Sequence, residues 1–417
     1  MNSLKKFKKL TQTFIKSKFS DYYIKNGNTI LAPNSIEQRE FGFFLFSENM
    51  VIRHKAFKKI VELRNFITNI IPSDVYHSAA YYNNPEAPMD KKGWKGSDLI
   101  FDIDADHIET ECKKKHDTWS CIDCKNSDFG KSPHSCPKCG GFKFKQNTWM
   151  CSQCLEKAKE EVLKLIDLIH LDFGIKLENI RVNFSGHRGY HLHIDSQQVR
   201  NLDTEDRKEI VDYIIGTGLD TNLLDIWDPS GKIKAIGSLS PNDPGWRGRL
   251  AKRIIRIFSD ANEETLKSIG LKSQTIESIL KLQTYNNYIN QDSSWRTIKG
   301  IGRNTWNILI QRAIALDSVG IDTVVTTDIH RLIRVAGTLN GKTGLKTMNI
   351  EIDELPEFNP FKRAVAFDGY ETIHIEEAPK FMLGDQEFGP YNNVIKKLPR
   401  AAALLLLCKE RAHPVMN

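Results

Sequence analysis

Two aspartates on one predicted strand have the spacing of a metal-dependent catalytic pair. Asp102 and Asp104 lie in the stretch 98–107, DLIFDIDADH. Side chains alternate faces along an extended strand, so the two carboxylates would share one face while the apolar residues at alternate positions line the other. Like charges this close repel unless a cation lies between them, which makes Mg²⁺ or Mn²⁺ the natural partner. The pair predicts phosphoryl or nucleotidyl transfer, and the alternative is a strand end with solvated acids.

Cysteines crowd into one short region. Of the 8 in the chain, all but Cys408 lie between positions 112 and 154. In a reducing compartment such a cluster argues for metal and not for disulfides. Six of them form the Cys-x2-Cys pairs Cys121 with Cys124, Cys136 with Cys139, and Cys151 with Cys154.

The spacing divides these residues into two zinc sites. The first two pairs match a zinc ribbon of two knuckles, and the third pair needs two more ligands, which Cys112 and His116 supply at Cys-x3-His spacing. The thiols and the imidazole then fill two tetrahedral sites with none left over. We therefore predict two structural zinc ions. His134 is an alternative to His116, and reduced, metal-free cysteines are the competing interpretation.

A second candidate site lies in a predicted hairpin at 180–194, IRVNFSGHRGYHLHI. Its turn offers the Ser185 hydroxyl, backbone N–H groups and the Arg188 guanidinium, all of which suit a triphosphate. His191 and His193 share the face opposite the apolar residues of the second strand. Two histidines at this spacing could instead bind a metal, and a purely structural hairpin is the third interpretation.

A third group of polar residues lies at 321–345. It supplies Asp322 and the cations Arg331 and Arg334. If 328–334 is helical, the two arginines are neighbours, as a phosphate clamp requires. The same segment contains Gly-Lys-Thr at 341–343, but a P-loop needs a glycine where this sequence has Ala336, so we predict no P-loop.

Length and composition exclude several classes of protein. The chain has 417 residues, 27% charged and 40% hydrophobic, which is typical of globular proteins and excludes disordered and fibrous ones. The net charge of +7 permits a polyanionic partner without requiring one. No apolar run approaches the roughly 18 residues of a membrane span. The basic first twenty residues lack a secretory apolar segment, so we predict a surface helix and a cytoplasmic protein.

Hydrophobic periodicity suggests the domain organisation. We predict a catalytic core from 1–200 together with 305–385, a zinc module inserted at 108–154, a mainly helical subdomain at 201–304, and a C-terminal helix within 386–417, starting near Tyr391. The Gly-rich segment 299–306, KGIGRNTW, is interpreted as a turn between helices.

Three motifs together carry a family resemblance. FDIDAD, SGHRGYH and the block 322–334, in that order, resemble the catalytic small subunit of archaeal and eukaryotic DNA primases. REFGF from Arg39, RHKAF from Arg53 and the cysteine-rich insertion after the acidic strand extend the resemblance over most of the chain. The fold that it implies is a mixed α/β primase-polymerase domain with a zinc module and a helical subdomain.

The resemblance also implies roles for individual residues. Asp102, Asp104 and Asp322 match the acids that hold Mg²⁺ or Mn²⁺. Nucleotide-binding positions match Ser185, Arg188, His191, Arg331, Arg334 and Arg53. His187 stands where some relatives carry a second arginine, and Asp106 shares the strand face of the two acids but is not marked by the family motif. The family's own zinc site matches Cys112, His116, Cys151 and Cys154, which leaves Cys121, Cys124, Cys136 and Cys139 as an additional ribbon.

The activity implied is template-directed synthesis of short RNA or DNA primers on single-stranded DNA, from NTPs or dNTPs, by two-metal-ion nucleotidyl transfer. A large subunit with an iron-sulfur cluster is the implied partner, and this chain has no cysteines to spare for such a cluster. The compartment would be nuclear if the cell were eukaryotic. A metal-dependent nuclease and a non-catalytic zinc-ribbon adaptor for nucleic acid are the alternatives.

Overall fold

The computed structural model describes residues 2–46, 50–219, 240–260, 262–283 and 303–415. Its helices are α1 (Asn2–Asn26), α2 (Ile60–Ile70), α3 (Lys113–His116), α4 (Ser152–Phe173), α5 (Gln197–Arg200), α6 (Thr204–Ile215), α7 (Gly245–Asp260), α8 (Glu263–Ser268), α9 (Ser273–Gln283), α10 (Arg303–Asp317), α11 (Thr323–Thr327), α12 (Pro360–Arg363) and α13 (Arg400–Cys408). In the described ranges, none of these helices has the length and apolar character needed to cross a membrane.

The strands alternate with these helices along the chain, so the predicted mixed α/β class is confirmed. They are β1 (Phe41–Phe44), β2 (Val51–Lys55), β3 (Asp74–Ser78), β4 (Ala80–Tyr82), β5 (Trp94–Ser97), β6 (Leu99–Asp104), β7 (Thr118–Cys121), β8 (Ser127–Phe129), β9 (Phe144–Asn147), β10 (Ile180–Phe184), β11 (Gly189–Ile194), β12 (Leu332–Arg334), β13 (Met348–Ile350), β14 (Tyr370–Ala378), β15 (Phe381–Leu383), β16 (Gln386–Phe388), β17 (Tyr391–Pro399) and β18 (Ala412–Pro414).

Two four-stranded antiparallel sheets organise the first of two compact units, which comprises 1–163, 176–208 and 320–417. One sheet has the order β13-β10-β11-β6 and the other β12-β3-β1-β2. Strand β6 is an edge strand, and its alternation agrees with the sequence. Phe101 and Ile103 are fully buried, whereas Asp102 and Asp104 are half-buried. Burial of each such apolar side chain contributes roughly 1.5–3 kcal/mol, which fixes the face that the acids occupy.

A small apolar cluster joins the edges of the two sheets. Ile100 of β6, Ile333 of β12, Val325 of α11 and Ala79 form this cluster, and all four are buried. The cluster brings the acidic strand beside the strand that carries Arg334.

The second unit comprises 164–175 and 209–319 and is mainly helical in its described part. Its core is built from apolar faces of α7, α9 and α10, with Trp246, Leu250, Ile279 and Trp306 among the buried residues. Residues 299–302 of the predicted Gly-rich turn lie outside the described residues, and α10 begins at Arg303.

The cysteine-rich insertion between β6 and α4 forms a three-stranded antiparallel sheet of its own, with the order β8-β7-β9. The apolar core of this insertion is small, because its strands are short and many of its residues are cysteines. Its buried members are Trp119, Cys121 and Cys136.

Two segments considered as helical contain strands instead. The hypothesis that 328–334 is helical is wrong: α11 ends at Thr327, and Leu332–Arg334 pairs with β3. The predicted start of the last helix near Tyr391 is also wrong, because Tyr391–Pro399 pairs with β14 and α13 begins only at Arg400. Proline lacks the N–H that a helix interior needs, so a helix cannot run through Pro399. In both segments, pairing with a distant strand decided the conformation.

Gly189 tests how closely β11 must approach β6. A Cβ at this position would lie 2.3 Å from the backbone oxygen of Ile103. We expect Gly189→Ala to lower the free energy of unfolding by about 3 kcal/mol, because backbone on both sides must move apart. Gly27→Ala is the matched control, since a Cβ there meets nothing within 4 Å. Urea unfolding followed by tryptophan fluorescence measures both. Equal stability of the two variants would contradict this packing.

Candidate active site

Three carboxylates meet at the exposed edge of β6. Asp102 and Asp104 project from the strand, and Asp322 caps the N-terminus of α11, where its Oδ1 accepts a hydrogen bond from the N–H of Val324 (3.0 Å). The backbone N–H of Asp322 donates to the carbonyl oxygen of Asp102 at 2.9 Å. This one backbone hydrogen bond brings the distant acid beside the strand pair.

Mutual repulsion marks these acids as a cation site. Burial, and then the nearby charge of Asp322, raise the pKa of Asp102 to about 6. Carboxylate oxygens on a strand edge are the donors that a hard divalent ion prefers, so the residues fit such an ion. In the described ranges, two groups of residues bring three or more potential metal-ligand atoms within 4.8 Å of one another, and both are cysteine sets. The oxygen atoms of the three carboxylates are therefore further apart than the ligand atoms of those sets.

Cations and polar groups face the acids across a pocket of about 200 Å³. The pocket lies between β6, the turn at 185–189 and β12. It is lined by Tyr76, Asp102, Asp104, Ser185, His187, His191, Val325, Arg331, Leu332, Ile333, Arg334 and Lys342.

Strand pairing places His191 directly opposite Asp102. The two are register partners in the β11–β6 pair, and His191 Nε2 lies 3.5 Å from Asp102 Oδ1. Burial, and then the charge of Arg334, lower the pKa of His191 to about 4, so the ring is neutral at neutral pH. His193 is buried on the same strand, 3.1 Å from Asn183, so the two histidines do not form a metal site together.

The turn after β10 is shaped by Ser185. Its Oγ accepts hydrogen bonds from the N–H groups of His187 and Gly189, each at 3.3 Å. Gly186 adopts a φ of +72°, and a Cβ on it would lie 2.8 Å from Asn340. Close packing against 340–343 therefore requires glycine at this position.

The Gly-Lys-Thr segment supports this turn instead of forming a P-loop. Thr343 Oγ1 donates to the carbonyl of Gly186 (2.5 Å), and Asn340 Nδ2 donates to that of Ser185 (3.0 Å). The same segment sends Lys342 into the pocket. Sequence reasoning missed Lys342, although its position between two turn-forming residues was a signal that could have found it.

Arg331 and Arg334 both line the pocket. Arg331 directly precedes β12, and Arg334 is the last residue of that strand. Arg334 forms an ion pair with Asp74 and lies over the ring of Tyr76, with 4.9 Å from its Cζ to the ring centroid. Asp74 also accepts a hydrogen bond from the N–H of Gly341 (3.0 Å). One half-buried carboxylate thus orients Arg334 and holds the Lys342 segment.

Two predicted nucleotide-binding residues do not line the pocket. Arg188 is fully buried, and its Nη1 lies 2.5 Å from Asp106 while its Nη2 lies 3.7 Å from Asp117. Arg53 lies on β2, where it forms an ion pair with Glu40 at 2.8 Å. Each guanidinium instead forms an ion pair with a carboxylate that is distant in the sequence or not part of the motif, and only the folded structure shows which carboxylate this is.

His187 lines the pocket and contacts Lys409. Lys409 Nζ lies 2.9 Å from His187 Nε2 and reaches the turn from the end of α13. Burial, and then the charges of Arg188 and Lys342, lower the pKa of Lys409 to about 8. Sequence reasoning gave no role to Lys409, since no local pattern connects it to the turn.

Two cysteine sets next to the site could each hold a metal ion. Cys112, His116, Cys151 and Cys154 form one set, and Cys121, Cys124, Cys136 and Cys139 form the other. Their sulfur atoms approach to 3.3–3.6 Å, close to the roughly 3.8 Å expected between thiolates around one zinc ion. His116 Nδ1 lies 2.8 Å from Asp117, which orients Nε2 toward the cysteines. His134 packs on Phe142 instead and joins neither set.

Acids on an edge strand that share a pocket with arginine and lysine side chains are an arrangement suited to nucleotidyl transfer, and here they lie on an antiparallel α/β core. A family model described as the DNA primase small subunit matches residues 140–352. The chain is 33% identical over 392 residues to the DNA primase small subunit PriS of Cenarchaeum symbiosum, with 94% of this chain and 95% of that protein covered. It is 30% identical to PriS of Nitrosopumilus maritimus, covering 96% and 97% of the two chains. For PriS of Pyrobaculum arsenaticum the identity is 34%, over 80% of this chain and 78% of that protein.

The chain belongs to the DNA primase small subunit family. It is therefore a catalytic primase subunit, an enzyme that makes primers by nucleotidyl transfer, as the motifs predicted. The comparisons do not favour the nuclease and adaptor alternatives.

Substitution of Arg188 tests whether this residue forms a structural ion pair or contacts phosphate. We expect Arg188→Met to lower the free energy of unfolding by about 3 kcal/mol, because Asp106 and Asp117 lose a buried partner. Arg331→Met, at a half-buried position in the pocket, should change stability by less than about 0.5 kcal/mol and should raise the KM for nucleotide. Urea unfolding and steady-state kinetics measure both variants. Unchanged stability with a raised KM for Arg188→Met would show that Arg188 contacts phosphate.

Proposed function

We propose that Asp102, Asp104 and Asp322 hold two divalent ions, Mg²⁺ or Mn²⁺, during primer synthesis. The support is their shared position at the β6 edge and the raised pKa of Asp102, which burial and then the nearby charge of Asp322 cause. When bound, such ions lower the pKa of a ribose 3′-hydroxyl and neutralise charge on the triphosphate. Asp102 and Asp104 line the pocket, so they would hold the ions beside the space that the substrate would occupy.

The triphosphate of the incoming nucleotide then occupies the pocket. Arg331, Arg334 and Lys342 contact its phosphates, and neutral His191 donates a hydrogen bond. Backbone N–H groups of the turn at 185–189 add further donors. These preorganised groups stabilise the charge that develops on the leaving pyrophosphate.

Arg188 acts on the phosphates through the turn that it anchors. It links Asp106, which donates its backbone N–H to Asp104 Oδ1 at 2.9 Å, to Asp117 of the zinc module. The ion pair therefore holds the acidic strand end and the turn in a fixed relation. Movement of the turn would change the position of His187 and His191 together.

The nucleoside half of the substrate extends toward a larger cavity. This cavity has a volume of about 850 Å³ and shares Lys342 with the phosphate pocket. Its walls combine apolar side chains, such as Ile15, Phe46 and Leu407, with Asp74 at the end nearest the phosphates. A base and a sugar require such a combination of apolar and polar surface.

We propose that both cysteine sets bind zinc, with a structural role. Cysteine and histidine ligands in closed tetrahedral sets are typical of structural zinc. The two sites stabilise an insertion whose own apolar core is small.

The relatives are named small subunits, so we propose that this chain works with a larger subunit, one that carries an iron-sulfur cluster. Its template is single-stranded DNA, and its products are short RNA or DNA primers. All the relatives cited are archaeal, and archaeal DNA lies in the cytoplasm, which is the compartment that we propose.

The observation that carries this mechanism is the set of acids and cations around one pocket. We expect Asp102→Ala combined with Asp104→Ala to abolish dinucleotide synthesis and leave folding intact, because both metal-binding carboxylates of β6 are lost. Asp90→Ala, at an exposed position, is the control and should keep full activity. A single-stranded template with labelled NTPs and Mn²⁺ or Mg²⁺ separates extension from degradation. Retained synthesis by the double variant would refute the metal role.

Native mass spectrometry tests the zinc assignment. We expect two Zn²⁺ per chain, and one in Cys121→Ser combined with Cys124→Ser, because half of one ligand set is removed. Cys408→Ser should keep both ions, since Cys408 belongs to neither set. A wild-type chain with one zinc ion or none would overturn the assignment.

A further inference from the structure

The sheet of strands β7, β8 and β9, which we name the ribbon sheet, has one covered face and one open face. Trp119 and Cys121 of the central strand belong to the covered face, where they pack with Cys136 and Phe144. Side chains of paired residues in an antiparallel sheet point to the same side. The register therefore identifies the members of the open face, because Thr118 and Ser120 alternate with the covered residues.

An aromatic ring and a lysine lie on this open face. Thr118 pairs with Phe129, whose side chain is 62% exposed, and Ser120 pairs with Lys145. The alternation continues one step beyond the strands. The N–H of Ile122 donates to the carbonyl of Lys143 at 2.9 Å, and both side chains are exposed.

The open face carries no carboxylate from the three strands, all of which the structure describes. Asp128 pairs with Trp119 and so belongs to the covered side. Asp123 lies beside Gly141 at the second knuckle, where a Cβ on Gly141 would meet its Oδ2. Segregation of acids from lysines gives the open face a positive potential.

An exposed aromatic ring beside lysines, on a sheet face without carboxylates, has the chemistry that binds single-stranded nucleic acid. Unpaired bases stack on aromatic side chains, while lysines contact the phosphates between them. In a duplex the faces of the bases are already stacked, so this surface favours a single strand. Single exposed apolar residues need no explanation, but Phe129 and Ile122 occur together with two lysines on one face.

The ribbon sheet is anchored to the turn that lines the active site. Asp117, directly before β7, accepts a hydrogen bond at its carbonyl oxygen from the N–H of Gly130, the residue after Phe129 (2.8 Å). Its carboxylate lies 3.7 Å from Arg188 Nη2, within the turn at 185–189. Phe129 is thus held through two short contacts to the phosphate-binding turn.

We propose that the open face of the ribbon sheet binds the single-stranded DNA template beside the active site. Phe129 stacks on a base, and Lys143 and Lys145 contact phosphates. This assignment rests on the proposed function only in that the strand bound is the template. In this proposal the additional cysteine set stabilises the ribbon sheet, and the ribbon sheet contacts the DNA.

The test measures the affinity of the full-length chain for fluorescein-labelled oligo(dT) by fluorescence anisotropy. Phe129→Ala should raise the Kd about fivefold or more, since stacking on an aromatic residue contributes to binding of each base. Lys143→Ala combined with Lys145→Ala should lower the slope of log Kd against log salt by about 1.4, which corresponds to two phosphate contacts. Unlabelled duplex of the same length should compete poorly.

The controls remove the same groups from the same module, away from the open face. Phe142→Ala deletes a ring that is 70% exposed but packs on His134. Lys131→Ala with Lys138→Ala removes two exposed lysines outside the strands. Zinc content by native mass spectrometry verifies that each variant keeps the insertion folded.

The outcomes separate this proposal from the proposed function. An unchanged Kd for Phe129→Ala, or an equal loss in the control variants, overturns the binding face. Primer synthesis by the wild-type chain in that case leaves the catalytic role intact. A wild-type chain that binds oligo(dT) through Phe129 but makes no primer would support the face and contradict the function.

Discussion

The antiparallel pairing of β6 with β11 is the interaction on which the site depends. It places Asp102 opposite His191 and Asp104 opposite Gly189 at the start of the phosphate-binding turn. The pairing leaves β6 an edge strand, so its free backbone edge is available, and Asp322 joins the acids through a single backbone hydrogen bond to Asp102. A shift of one residue would turn both acids into the core, where an unpaired charge is strongly unfavourable.

Around this strand pair, ion pairs fix the turns that carry the polar groups of the pocket. Asp74 holds Arg334 and the Lys342 segment, and Arg188 connects the acidic strand end to Asp117 at the zinc module. Buried pairs of this kind gain little net free energy, but removal of one partner costs several kcal/mol. These ion pairs contribute mainly by restricting the conformations of the side chains and turns around the pocket.

The zinc insertion is part of the same network and not an appendage. Asp117 orients His116 toward its metal set, accepts the N–H of Trp149 and lies beside Arg188. The phosphate-binding turn therefore contacts the insertion from one side and the 340–343 segment from the other. Metal binding in the insertion would stiffen the turn, since both depend on one carboxylate.

Local spacing along the chain was enough to predict several features. Alternation along 98–104 identified Asp102 and Asp104, the cysteine intervals separated the two ligand sets, and the motif order indicated the family. Which distant residues join them depends on the tertiary structure. It buried Arg188, placed 332–334 in a strand, and brought Lys342 and Lys409 to the turn. Spacing fixes the face on which a side chain lies, because backbone geometry repeats every two or 3.6 residues. The partner across that face depends on long-range packing and strand pairing, which no local repeat encodes.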